Sequence, residues 1–170
     1  FDADGDGDED LYVGSGGNEF PTSSSALIDR LYLNDGRGKF TKSSQVLPTF
    51  RFESTATVEA SDYDGDGDED LFVGIRLRPF LYGVAVNGYI LENDGQGKFT
   101  VVTQEVAPQL LGIGMITDGV WVDIEGDGDE DLIVVGEWMG VKVFENSSGK
   151  LEDKTHSWGM ESTQGWWNKV

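Results

Sequence analysis

The 170-residue sequence has no cysteine, so no disulfide can staple it, although that alone leaves its compartment open. It has one histidine, His156, and no Ser-His-Asp or Cys-His set can be assembled from it. Basic residues are scarce: 12 Lys and Arg stand against 32 Asp and Glu, a formal charge of −20. Nucleic acid is therefore excluded as a partner, because phosphate binding needs a basic surface. No run of about 18 apolar residues exists, so nothing reads as a transmembrane segment. No signal peptide is visible and Phe1 already lies inside the first motif, so the chain reads as a piece of a longer precursor. No segment carries a helical stripe. The 38% hydrophobic and 11% aromatic content is enough for a packed core.

The acids are not spread evenly. Asp2-Ala-Asp4-Gly5-Asp6-Gly7-Asp8-Glu9-Asp10 recurs as Asp62 to Asp70 and, with Glu125 in place of the second Asp, as Asp123 to Asp131. The starts lie 60 and 61 residues apart, and the three windows hold 18 of the 32 acids. A carboxylate at every second position, with glycines between, wraps oxygens around a hard cation, and like charges so crowded need one. Ca²⁺ at up to three sites is the expected cofactor. Mg²⁺ is the weaker alternative because it keeps its waters. Side chains at positions 1, 3, 5 and 9 can converge on one ion: Asp2, Asp4, Asp6 and Asp10; Asp62, Asp64, Asp66 and Asp70; Asp123, Glu125, Asp127 and Asp131. Position 7 (Asp8, Asp68, Asp129) is expected to offer its carbonyl, with Gly7, Gly67 and Gly128 permitting the turn. An EF-hand would need Glu at position 12, where Val13, Val73 and Val134 stand. The competing reading, acidic surface turns, is hard to square with three registered copies.

Each loop precedes a β-branched and aromatic run ending in glycine: Leu11–Gly14, Leu71–Gly74 and Leu132–Gly136. Further strands end in Asn34, Asn93 and Asn146. Glycine turns follow, and last strands open at Lys39, Lys98 and Lys150. Another strand precedes the second and third loops. Four antiparallel strands per roughly 60 residues form the unit of a β-propeller. The expectation is an all-β chain of about three blades, a fragment of a larger propeller. Blades run approximately over 1–48 (incomplete), 49–108 and 109–160, with 161–170 starting a further one. Exposed blade edges favour self-association.

These residues resemble the FG-GAP/VCBS repeats, the blades of integrin-α-like propellers found in secreted proteins. The resemblance covers essentially the whole chain. It implies a calcium loop of the form D-x-D-x-D-G-x-x-D between the first and second strands of each blade. Glu125 departs from that pattern, and the Phe-Gly and Gly-Ala-Pro signatures of integrin repeats are not clearly present.

Strand parity puts the acidic loops and hairpins on one face and the loops of variable length on the other. Variable loops on a rigid scaffold are where function gathers. Residues 15–29 and 75–88 are long insertions, and the third blade has only Glu137–Gly140. Arg51, Arg76, Arg78, Tyr82, Trp138 and Trp158 are candidate ligand-binding residues there, with Phe52, Phe80 and His156 nearby. Trp121, Trp166 and Trp167 read as core. Glu53, Glu59, Glu92 and Glu105 show no special context. The leading expectation is a calcium-stabilised extracellular, periplasmic or cell-surface module for adhesion, without enzymatic activity, that recognises protein or carbohydrate. The alternatives are part of a secreted polysaccharide-degrading enzyme and a structural spacer.

Overall fold

A computed structural model describes residues 1–47 and 53–170. The predicted Arg51 and Phe52 lie outside the described residues. The chain is all-β, in three antiparallel sheets that stack without closing. The first sheet holds β1 (Leu11–Val13), β2 (Arg30–Asn34) and β3 (Phe40–Lys42). The second holds β4 (Ser54–Ser61), β5 (Asp70–Leu77), β6 (Gly88–Glu92) and β7 (Thr100–Val101), in that spatial order. The third holds β8 (Met115–Val122), β9 (Asp131–Met139), β10 (Lys142–Asn146) and β11 (Leu151–Asp153). Residues 161–170, expected to start another unit, place β12 (Gly165–Trp166) antiparallel against β9.

The middle sheet explains why its strand is apolar at consecutive positions. Leu71, Val73, Ile75 and Leu91 point one way and pack with Leu31, Leu47 and Phe99. Phe72 and Ile90 point the other way, onto Ile116, Leu132, Val134 and Phe144 of the third sheet. A strand buried on both faces loses the polar alternation of a half-exposed one.

Two local expectations are corrected. Glycine does not end the second and third of the predicted runs: β5 passes through Gly74 to Leu77, and β9 through Gly136 to Met139. A Cβ on Gly74 would lie 2.6 Å from Ile116 Cγ2 and 2.8 Å from Thr57 Cγ2. The glycine is there to let the neighbouring sheet approach. A short helix, α1 (Thr103–Val106), also forms between β7 and β8, followed by a 3₁₀ turn at Pro108–Leu110. Single turns of this length are too short to print a periodic stripe. Among the described residues no helix is long and apolar enough to cross a membrane.

Candidate metal centres and the opposite face

Each acidic loop joins the first and second strands of a unit, or in the first unit precedes β1. Its turn is held by its own first aspartate. Asp2 accepts from the amides of Gly5 and Gly7 (both 2.9 Å), Asp62 from Gly67 (3.1 Å), and Asp123 from Gly126 (2.6 Å) and Gly128 (3.0 Å). Gly7, Gly67 and Gly128 take φ values of 88°, 100° and 100°, which a side chain would resist.

Carboxylate oxygens converge in all three loops. Asp2, Asp4 and Asp10 form one group, Asp62, Asp64 and Asp66 a second, and Asp123, Glu125 and Asp131 a third, with ligand atoms within 4.8 Å of one another in each. Asp6 and Asp127 stay outside their groups and accept from the amides of Asp8 and Asp129 (both 3.0 Å). Asp70 also stays outside its group. The side chains of Asp8, Asp68 and Asp129 lean on the hairpin of their own unit. A Cβ on Gly36 would meet Asp8, one on Gly95 would meet Asp68, and Ser148 donates its amide to Asp129 (3.0 Å).

The donor set fits a divalent cation. Asp4 Oδ1, Asp68 Oδ1 and Asp70 Oδ2 are buried and have no hydrogen-bond partner among the described residues, and such carboxylate oxygens are costly unless an ion meets them. Burial, then the neighbouring aspartates, raises the pKa of Asp4, Asp8, Asp64 and Asp68. Asp70 is pushed up to about 8, chiefly by burial. Glu125 is pushed up to about 7, first by its hydrogen bond to Asp131. Metal-free, the loops are sets of mutually repelling acids.

The ninth position has a second task. Asp10 accepts from the amides of Ala3 (2.9 Å) and Asn34 (2.7 Å), and Asp131 from those of Ile124 (2.9 Å) and Asn146 (2.8 Å). Asp70 accepts from Asn93 (2.8 Å). These asparagines were read in the sequence only as hairpin residues. Asn93 donates to the carbonyl of Glu69 in its own loop (3.2 Å) and to that of Ala3 in the preceding loop (2.9 Å). Asn146 does the same to Glu130 (3.0 Å) and Tyr63 (2.7 Å). Their recurrence at one register was the available signal. The eighth-position glutamates reinforce the junctions: Glu69 accepts from the Asp2 amide (2.9 Å) and Glu130 from the Ser61 hydroxyl (2.6 Å).

On the variable-loop side, Arg76, Tyr82 and Trp138 come together. Arg76 donates through Nε and an Nη to one oxygen of buried Glu137 (3.1 and 2.7 Å), and the Tyr82 hydroxyl donates to the other. Tyr82 meets Trp138 edge-on at 5.3 Å, and Trp138 meets Trp166 at 5.0 Å. Trp138 is half exposed and adopts φ 57°, an uncommon conformation for a bulky residue. Arg78 is engaged elsewhere, by buried Glu53 at 3.0 Å. Glu53 thus has a defined context that the sequence did not reveal. Both arginines are held by carboxylates of the same chain. Trp158 is exposed and its amide donates to the Lys154 carbonyl (3.1 Å). His156 pairs with Glu161 at 2.7 Å and lines a cleft of about 560 Å³ with Lys142, Asp153 and Gln164. Trp121 is buried as expected and stacks on Tyr63. Trp166 and Trp167 are exposed at the sheet margin rather than in the core.

Three stacked antiparallel sheets, each with the same acidic loop, define a repeat protein. Residues 2–73 match the family model described as FG-GAP-like repeat, so the chain carries an FG-GAP-like repeat over that stretch. No curated protein matches the chain.

Proposed function

We propose that this chain is a calcium-stabilised module of β-propeller type that acts as a binding or adhesion element outside the cytoplasm. The observation that carries the calcium reading is the set of buried, partnerless oxygens on Asp4, Asp68 and Asp70, inside loops where carboxylates already converge. Asp2, Asp4 and Asp10, Asp62, Asp64 and Asp66, and Asp123, Glu125 and Asp131 would hold the ions, whose charge would cancel the repulsion. The FG-GAP-like match over residues 2–73 supports a propeller-type module. Exposed, loop-built sites fill where free Ca²⁺ is millimolar, which favours an extracellular, periplasmic or surface location.

Recognition is assigned to the face opposite the acidic loops. The exposed rings of Tyr82, Trp138 and Trp166 there offer flat apolar surface beside polar Glu137 and Arg76. Because Arg76 and Arg78 are already ion-paired, a neutral carbohydrate or a protein surface suits this part of the face better than an acidic sugar. We assign binding rather than catalysis to it. Calorimetric titration of the chelator-stripped protein with CaCl₂ tests the metal reading, with heat of binding expected at up to three sites. Absence of any binding heat would sink it. A glycan array with the calcium-loaded chain tests the face, with selective hits expected for the native chain and not for Trp138→Ala. Release of shortened products from a polysaccharide would instead establish an enzyme.

A further inference from the structure

The cleft beside His156 is not accounted for by the acidic loops or by the stacking of the sheets. It holds about 560 Å³, the size of a small-molecule site. Its floor is the start of β10 and the end of β11, and its roof is the segment that crosses from β11 to β12. Lys142 and Asp153 lie on the same sides of their strands as Phe144 and Leu151, which pack into the core between the second and third sheets. The floor therefore belongs to the side of the third sheet that faces the second, not to its outer side.

Hydrogen bonds fix the walls. The Thr163 hydroxyl accepts from the Val141 amide (2.9 Å) and donates to the Met160 carbonyl (2.6 Å), which clamps the crossing segment onto the entry to β10. A Cβ on Gly140 would lie 3.3 Å from that hydroxyl oxygen, so the glycine leaves room for the clamp. Asp153 is held at both oxygens, by the Thr155 amide (2.9 Å) and by Lys142 (3.4 Å). Glu161 is held by His156 at 2.7 Å. Each acid that lines the cleft thus has a basic partner in it. The lining offers donors and acceptors without a surplus of either charge.

The cleft is continuous with the aromatic ledge. Gln164 lines it and donates Nε2 to the Trp138 carbonyl (3.2 Å). Gly140 and Gln164, both in the lining, each stand two residues from a tryptophan, Trp138 and Trp166, whose rings meet at 5.0 Å. Both tryptophans are half exposed, and Trp138 keeps its φ of 57°. Strain of this kind persists where surrounding contacts impose it, and it gathers at ligand clamps.

We propose that the cleft and the Trp138–Trp166 ledge together form a binding site for a neutral oligosaccharide. One sugar unit lies in the cleft, where the carboxylates of Asp153 and Glu161 accept from its hydroxyls and Lys142 and Gln164 donate to them. The next unit lies on the ledge, its C–H face against the electron-rich face of an indole. The balanced lining selects against a charged sugar, whose desolvated charge would find no unspent partner. An anchoring side chain of a protein would need a mostly apolar pocket, and this one has only Val141 and Met160 to offer it. This site narrows the recognition reading of the face, on which it rests, to one ligand class.

NMR titration of the isotope-labelled, calcium-loaded chain with di- to tetrasaccharides of glucose, mannose, galactose, xylose and N-acetylglucosamine tests it, with tetragalacturonate as the acidic comparison. At least one neutral series is expected to shift the amides of Gly140, Val141 and Glu161 together with the indole N–H of Trp138, and to bind more tightly as it lengthens. Glu161→Gln and Trp138→Ala, both at exposed side chains, are each expected to weaken that binding at least about tenfold, and the same spectra show that each variant is folded. Shifts confined to Tyr82, Trp138 and Trp166 overturn the cleft and leave recognition by the face standing. Equal or tighter binding of tetragalacturonate overturns the neutral class. A panel that shifts none of these residues overturns the site altogether.

Discussion

Replacing Asp70 by asparagine should stabilise the metal-free protein, and calcium should remove most of that advantage. One oxygen of Asp70 accepts from the Asn93 amide (2.8 Å), a bond that an asparagine carbonyl can keep. The other is buried and partnerless, and burial holds the carboxyl at about 8 instead of 3.8. The folded-state pKa lies above the unfolded one, so the folded chain binds the proton more tightly. The resulting stability is fully present below 3.8 and is lost as pH rises through about 8. Asp4, Asp64 and Asp68, also raised, act with the same sign. The full difference corresponds to about 6 kcal/mol, and partial hydration of the loop halves it to ~3 kcal/mol. In excess chelator at pH 8 the Asp70→Asn variant should therefore melt ~6–12 °C above the native chain, with about a third of that difference at pH 5. In calcium that advantage shrinks. A site held at about a hundred times its dissociation constant contributes ~2.7 kcal/mol, and weakening its acidic shell forfeits part of that. Native stability should then rise with pH, because protons compete with the metal for the carboxylates. Differential scanning calorimetry of both proteins, with chelator and with calcium, at pH 5 and pH 8 gives the four comparisons. A variant whose advantage is as large with calcium as without it would refute the reasoning.

Three further substitutions test the junctions. Asn146→Ala removes two bonds to the Tyr63 and Glu130 carbonyls and one from the Gly149 amide, all at 2.7–3.0 Å, and should cost about 3 kcal/mol in urea denaturation. Asn34→Ala, which loses one bond, should cost about 1 kcal/mol. Gly74→Ala forces a methyl to within 2.6 Å of Ile116 and 2.8 Å of Thr57, and should lower the urea midpoint by the equivalent of ~2 kcal/mol.

The acidic loops were legible because their chemistry is local: alternate carboxylates and glycines need no distant partner to be recognised. The strand order was legible for a related reason, since each unit repeats one grammar of loop, apolar run, asparagine and hairpin. What escaped was set by contacts between units. Nothing near Arg76 in the sequence announces that Glu137, 61 residues on, holds its guanidinium, nor that Glu53 holds Arg78. Gly74 looks like a strand terminus until Ile116 is brought against it. Trp166 has the composition of core, but its burial depends on where the sheet ends.

The asparagine latch shows why the metal loops and the sheet stack should not be thought of separately. The carboxylates of Asp10 and Asp131 each belong to a converging acidic group and also hold the amide of the asparagine that ends a neighbouring strand. The side chain of Asn146, whose amide Asp131 holds, then crosses to the loop of the preceding unit. A cation that fixes one carboxylate therefore fixes a strand end, and through it the contact with another sheet. If the loops were independent appendages, removing calcium would fray them and leave the core transition unchanged. Because the same residues would serve both tasks, loss of a bound metal would be transmitted to Leu132, whose burial depends on the sheets remaining in register. Calcium should therefore shift the single cooperative unfolding transition of the stack rather than add a separate loop transition beneath it.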